Sequence, residues 1–277
     1  MRINTNVMAL NAQNMLSGNQ GAVQKSINKL SSGLRINSAA DDAAGLAISE
    51  KMRSQIRGLN QAESNAQDGI SLIQTAEGAL QQTTDILQRM RELVVKTENT
   101  GVLSEKDQEA LTVEVQALKD EIDRIANSTT FNGKALLSGK CDGTSGNDAL
   151  KFKIGANTNT GDTLELTIGS MTADTLKVSE IKIKENPAGA LKSIDAAIVA
   201  VSSQRAKLGA VQNRMEYAIE SLSTTAENLT AAESRIRDVD MADEMVSYTK
   251  NNILQHSAMA MLAQANQQPQ QLLSLLQ

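Results

Sequence analysis

Residues 1–186 contain no proline, and across that stretch apolar side chains recur at steps of three and four. Proline is the residue that most reliably breaks a helix, so its absence permits very long ones. From Ile73 the steps land on Ala76, Leu80, Thr83, Leu87, Met90 and Val94. Leu72, Ala79, Ile86 and Leu93 flank that seam every seventh residue, and Leu59 and Ala66 extend it backwards. A seven-residue repeat with a flanking row marks a helix that packs side by side with others. The spacing predicts one helix from about Ala43 to about Asn99, roughly 80 Å long at about 1.5 Å per residue. Such an element belongs to a rod.

The partners of that helix follow in order. Asn99-Thr100-Gly101 ends it, and Ser104 with Asp107 forms a capping-box pattern. The next helix carries Leu111, Val115, Leu118, Ile122 and Ile125, and the short connection predicts that it folds back antiparallel. From Phe131 to Glu185 the composition shifts toward turns, with Asn132-Gly133 and residues 157–161 as the clearest. Phe152/Ile154, Leu164/Leu166/Ile168 and Ile181/Ile183 alternate with polar residues, which predicts short strands in a small β region. Asn186-Pro187 restarts a helix, as an N-cap followed by proline at the first helical position. Its seam runs Leu191, Ile194, Ile198, Val201, Arg205, Leu208, Gln212, Met215, Ile219, Leu222, Ala226 and Leu229. Arg205 and Gln212 are expected where that seam meets solvent or a polar partner.

Both ends differ from this charged middle. The chain is 21% charged, yet residues 251–277 carry no formal charge and the first forty residues carry no acid. The ends still show helical apolar spacing: Ile3, Val7 and Leu10, then Val23, Ile27, Leu30 and Leu34, and, from within the break at 235–240 onward, Val239, Val246, Ile253 and Ala260. Gln267-Gln268-Pro269 is expected to interrupt this last helix before Leu272, Leu273, Leu275 and Leu276. Two uncharged amphipathic ends predict surfaces that are covered by each other or by other copies. The order is then a terminal helix, a break, a rod, a β insert, a rod, a break and a terminal helix. Both ends must lie at the same end of the rod.

Several functions are disfavoured by composition. A net charge of −5 lacks the basic face that phosphate recognition needs. Phe131, Phe152, Tyr217 and Tyr248 are the whole aromatic content, too little for a base-stacking platform. One histidine and one cysteine cannot form a conventional His/Cys zinc site. No phosphate-binding glycine fingerprint is present, so neither a catalytic centre nor a cofactor is expected. Cys141 reads as an incidental loop thiol, and His256 as a packing or surface residue. No apolar stretch is long enough for a membrane span, and no secretory signal is visible. That predicts a cytosolic protein or one exported without a cleaved signal.

The residues at the breaks and ends resemble bacterial flagellin. Met1-Arg2-Ile3-Asn4-Thr5-Asn6 looks like that family's N-terminus. Leu30-Ser31-Ser32-Gly33-Leu34-Arg35-Ile36-Asn37, then Ala40-Asp41-Asp42-Ala43-Ala44-Gly45-Leu46-Ala47-Ile48, match its most recognisable stretch, and Gln67-Asp68-Gly69-Ile70-Ser71-Leu72 continues it. Ala263-Gln264-Ala265-Asn266-Gln267-Gln268-Pro269-Gln270, followed by Leu272-Leu273-Ser274-Leu275-Leu276, is similar to its C-terminus. The resemblance spans about residues 1–135 and 186–277.

The resemblance implies a mainly α fold: an elongated rod of long antiparallel helices, a small β-hairpin region, and a terminal helical coiled-coil domain made by both chain ends. Residues 1–42 with 236–277 would form the terminal domain. Residues 43–130 with 186–235 would form the rod, and residues 131–185 the short β-rich outer part. The implied function is a secreted, self-polymerising subunit of the flagellar filament, exported unfolded through the flagellar type III apparatus. Ile3, Val7, Leu10, Val23, Ile27, Leu30, Leu34, Val246, Ile253, Leu262, Leu272, Leu273, Leu275 and Leu276 would pack the filament core. Implied partners are an export chaperone at the C-terminal helix, the filament cap protein, the hook–filament junction protein and the animal Toll-like receptor for flagellin. Gln88, Arg89, Leu93 and Glu114 resemble that receptor's contact motif, while the charges at Lys96 and Glu98 depart from the family pattern. Alternatives are the hook–filament junction protein itself and a coiled-coil signalling or adaptor protein.

Overall fold

A computed structural model describes residues 6–99, 104–141, 143, 149–157 and 160–275; the side chains of residues 160 and 269–275 are outside that description. Five helices dominate: α1 (Val7–Ser32), α2 (Ala43–Thr97), α3 (Glu105–Ser128), α4 (Pro187–Arg237) and α5 (Met241–Leu275). Two small antiparallel pairs lie between α3 and α4: β1 (Thr130–Phe131) with β2 (Lys134–Ala135), and β3 (Leu150–Lys153) with β4 (Thr163–Leu166). The chain divides into two compact units, residues 56–226 and residues 1–55 with 227–277. This division falls deeper in α2 and α4 than the helix breaks themselves.

In the unit of residues 56–226 the seven-position seam of α2 is wholly interior. Ile73, Ala76, Leu80, Leu87, Met90 and Val94 are 0% exposed, and Thr83 is 1% exposed with its hydroxyl donating to the Ala79 carbonyl at 3.1 Å. Val115 and Ile122 of α3 join the same core, as do Ile194, Val201, Leu208 and Met215 of α4. The half-buried Arg205 answers its polar expectation by pairing with Glu77 at 3.5 Å. α3 begins with the anticipated box: Ser104 Oγ accepts from the Asp107 N–H at 3.3 Å, and Asp107 Oδ2 accepts from the Ser104 N–H at 3.0 Å. The hydrogen bonds from Ser104 hold the Asp107 carboxyl below its ordinary range.

The hairpin β1–β2 turns on Asn132 (φ 48°) and Gly133 (φ 76°), the doubly left-handed turn whose twist matches its strands. β3 and β4 pair Leu150 with Leu166 and Phe152 with Leu164, and Leu150, Leu164 and Leu166 face inward. Ile181 and Ile183 are buried as their alternation implied, but they form no strand. The ammonium of Lys119, itself buried, donates to the carbonyls of Ser179 and Ile181 at 2.9 and 2.8 Å. Those acceptors are thereby occupied by a side chain and not by a neighbouring strand. Cys141 is also not a surface loop thiol. It is 5% exposed, and its Sγ donates to the Ala135 carbonyl at 3.4 Å.

The other unit is built on α1 and α5, which lie against each other along their length. Asn6 caps α1, with Oδ1 accepting from the Ala9 N–H at 3.1 Å, and Gly33 ends it in the left-handed conformation (φ 71°). The expected interruption at Pro269 does not occur, because α5 runs unbroken to Leu275. Proline has no N–H to offer the carbonyl four residues earlier, which is that of Ala265. Asn6 Nδ2 supplies that carbonyl with a donor at 2.7 Å instead, so the lost bond is replaced from the opposite end of the chain.

Candidate assembly surface

The two helix breaks clasp each other inside the terminal unit. The Arg35 N–H donates to the Arg237 carbonyl at 2.6 Å, and the Val239 N–H donates to the Gly33 carbonyl at 3.1 Å. The Arg35 guanidinium then closes the end of α4, donating to the carbonyls of Arg235 and Ile236 at 3.0 and 2.6 Å. Helix ends leave such carbonyls without partners, and a cation there also suits the helix dipole. Two long-range ion pairs tie α2 to α4: Arg53 Nε to Glu233 Oε1 at 2.8 Å and Arg237 Nη1 to Glu50 Oε1 at 2.6 Å.

The conspicuous run Ala40-Asp41-Asp42-Ala43-Ala44-Gly45 has a local cause. Asp41 Oδ2 accepts from the Asn37 and Ser38 N–H groups at 3.3 and 3.0 Å, and the Ser38 bonds lower its pKa. Asp42 Oδ1 accepts from the Gly45 N–H at 2.9 Å and so caps α2. A Cβ at Gly45 would lie 2.4 Å from Asp42 Oδ2 and 2.8 Å from Ile36 Cδ1. A side chain there would have to displace the capping carboxylate and Ile36 Cδ1, which favours glycine. None of the pairings of Arg35, Arg53, Arg237 and Asn6 was predicted, because their partners lie far away in sequence; only the N-cap at Asn6 carried a local signal.

The α1–α5 pair is antiparallel, with Asn6 at Ala265 and Lys29 at Glu244, 3.7 Å apart, marking its two ends. Its inner face is largely small and polar, with Leu16, Val23, Tyr248 and Leu262 as its larger members. Ala12, Asn19, Ala22 and Ser26 on α1 are covered or half-covered with them, as are Asn251, Asn252, Gln255 and Ala258 on α5. Most of the other large apolar residues point the other way. Val7, Leu10, Val246 and Ile253 are 59%, 54%, 69% and 59% exposed, and Met8, Met15, Met245, Met259 and Met261 are exposed beside them. The heptad line through Val246, Ile253 and Ala260 is thus not the contact with α1. Among the described residues, twelve of the seventeen exposed large apolar side chains lie on α1 and α5. Met245, Val246, Thr249, Lys250, Ile253 and Leu254 line a shallow groove on this face. Ile27 is also exposed, at 40%, while Val23, Leu30, Leu34 and Leu262 are half-buried. Ile3 and Leu276 lie outside the described residues, as do the side chains of Leu272, Leu273 and Leu275.

A second patch lies on α2 and α3. Arg89 Nη2 and Nε donate to Glu114 Oε1 at 3.0 and 3.2 Å, and Nη1 donates to Glu92 Oε2 at 3.1 Å. The bonds to Glu114 and then Glu92 raise the Arg89 pKa further. Gln88 is exposed next to it. Leu93, expected as an apolar partner at this surface, is 3% exposed and packs in the core, so it offers a partner no contact area. Among the described residues no group of three or more His, Cys, Asp and Glu side chains could hold a metal ion, and no helix is long and apolar enough to cross a membrane.

Comparison with known proteins adds two family matches. The bacterial flagellin N-terminal helical region matches residues 3–142, and the bacterial flagellin C-terminal helical region matches residues 191–276. The chain is 56% identical over 305 residues to the flagellin of Bacillus subtilis (strain 168), covering all of both chains. It is 52% identical over 288 residues to the flagellar filament 33 kDa core protein of Treponema phagedenis, again covering all of both. Among solved structures, a putative flagellar hook-associated protein from Vibrio parahaemolyticus shares the fold, with a TM-score of 0.58 and 16% identity over 72% of this chain and 100% of that one.

Proposed function

The chain belongs to the bacterial flagellin family, and from that membership we propose how its two surfaces serve a flagellar filament. It is a structural protein of the extracellular filament, not an enzyme, and it polymerises with copies of itself. Residues 1–42 with 236–277 form the filament's inner core, residues 43–130 with 186–235 its packed wall, and residues 131–185 the outer β part. The observation that carries this reading is the outward apolar face of α1 and α5. Val7, Leu10, Ile27, Val246 and Ile253 leave that face for other copies to cover, with Val23, Leu30, Leu34 and Leu262 supporting it from within. Ile3, Leu272, Leu273, Leu275 and Leu276 are assigned to the filament core from the family resemblance alone.

Export precedes assembly in this reading. The chain passes unfolded through the flagellar type III apparatus, and an export chaperone covers the C-terminal helix until then. The cap protein guides each subunit into place, and the hook–filament junction protein receives the first ones. Helices that expose this much apolar surface gain most of their stability from covering it, which supports folding of the termini upon assembly. Full-length protein added to short filament seeds should elongate them in electron micrographs, and a chain lacking residues 251–277 should not. Normal filaments from that truncation would sink the proposed role of the tail.

The exposed group of Gln88, Arg89 and Glu114 is also a ligand surface for the animal Toll-like receptor for flagellin. Arg89 presents a planar fork of donors, a type enriched at binding hot spots. Leu93 acts beneath it by holding α2 in the core. In purified monomer, Arg89→Asp should weaken receptor binding with no loss of helicity. Unchanged affinity would remove Arg89 from the surface.

A further inference from the structure

Lys119 has a setting that filament assembly does not use. Its amine donates to the main-chain carbonyls of Ser179 and Ile181 at 2.9 and 2.8 Å. The residue is 6% exposed, and a charge so placed is ordinarily matched by a carboxylate. Among the described residues no carboxylate is in hydrogen-bond or ion-pair contact with it. Asp120, next to it on α3, is exposed. On the facing segment Glu180 and Lys184 are exposed, and Glu185 pairs with Lys182 at 3.0 Å. An ammonium has three N–H donors and a neutral amine has two. Two carbonyls therefore match the neutral amine, and the ammonium's third N–H has no partner among the described residues. That proton can leave without breaking either bond, and a lone pair takes its place. Burial accordingly lowers the Lys119 pKa from its ordinary value, with Asp120 opposing this more weakly.

The side chain also lines a cavity of about 570 Å³, together with Thr112, Val115 and Gln116 of α3 and residues 179–185. Thr112 and Gln116 are exposed, which leaves the cavity open to small solutes. The geometry points to Lys119 as a nucleophilic site for a small aldehyde, bound in the cavity between α3 and residues 179–185. The lysine nitrogen attacks the carbonyl carbon, the N–C bond forms, and the carbonyl oxygen takes up a proton to give a carbinolamine. That oxygen then leaves as water, and a protonated imine remains. Ammonium plus aldehyde gives protonated imine plus water, so no oxidant or reductant is consumed. The imine keeps one N–H, which one of the two carbonyls still accepts. Exposed lysines hold their protons up to about pH 10.4 and are poor nucleophiles near neutrality, whereas a desolvated lysine is activated. All of the participating groups belong to one chain, so the site does not depend on how copies pack.

The test is labelling of the full unassembled chain with limiting propionaldehyde, with cyanoborohydride present to fix each imine as a secondary amine. Mass spectrometry of the digested chain then compares Lys119 with the exposed Lys184 on the facing segment. At about pH 7 Lys119 should be labelled at least about threefold faster, and the ratio should fall toward one at about pH 10, where ordinary lysines lose their protons. The preference should vanish in denaturant, because it depends on the folded cavity. Labelling of Lys119 no faster than Lys184 at about pH 7 overturns the inference. So does a ratio that stays unchanged at about pH 10, or a preference that survives in denaturant.

Discussion

Replacing Ile253 by alanine should raise the critical concentration for filament elongation about tenfold while leaving the monomer intact. The substitution removes three carbon atoms, each contributing about 0.8 kcal/mol when fully buried, or about 2.4 kcal/mol together. Ile253 is 59% exposed with α5 folded against α1, so at least about that fraction is newly covered on assembly. The product is about 1.4 kcal/mol per subunit, which is about one decade in an equilibrium constant. Alanine is also the better helix former by a few tenths of a kcal/mol, so the monomer should not lose stability. Subunit remaining in solution after seeded growth gives the critical concentration, and circular dichroism gives the melting of the monomer. A change below about twofold, or a loss of monomer stability as large as the assembly effect, would refute the assignment of Ile253 to a face covered by other copies.

Other consequences separate the core, the clasp and the cap. Leu87→Ala, at a position 0% exposed, should destabilise the monomer by about 2–5 kcal/mol in chemical denaturation; a loss below about 1 kcal/mol would place Leu87 outside a packed core. Asn6→Ala removes the cap of α1 and the donor that the Ala265 carbonyl receives beside Pro269, so limited proteolysis should cut both ends faster. Equal cleavage rates would mean that the carbonyl is satisfied in another way. The capping box predicts a pH effect of fixed sign. The Asp107 pKa is lowered by its bonds from Ser104, so the cap stabilises α3 above the ordinary aspartate pKa of about 3.9. That contribution is lost as pH falls through the lowered folded value. The stability difference between wild type and Asp107→Asn should therefore be present near neutrality and vanish in acid, and a difference that persists in acid would contradict it.

Much of this arrangement was legible in the order of residues because it depends on local rules. The repeat from Ile73 to Val94 identifies the buried side of α2, since one face of a helix with this period can be apolar only if something covers it. Asn132-Gly133, Ser104 with Asp107, and Asn186-Pro187 each specify a turn or a helix start through their own backbone preferences. Part of the motif that pointed to the family also meets a local demand: Gly45 lies beneath Asp42 and Ile36.

Tertiary structure alone decided which faces meet. α5 carries apolar residues on several sides, so its spacing could not say that Val246 and Ile253 point outward while Asn251, Asn252 and Gln255 lie toward α1. Leu93 read equally well as core or surface until packing put it in the core. Ile181 and Ile183 kept the alternation of a strand, but Lys119, more than fifty positions earlier in the chain, took their segment's carbonyls. Pro269 should have broken its helix by local rules, and Asn6 at the far end of the sequence removed the reason. The sequence by itself determined where the helices begin, how far all but α5 run, and that they must be covered. The partner of each face depended on groups brought together only by folding, because a periodic pattern records that a surface is apolar and not what lies against it.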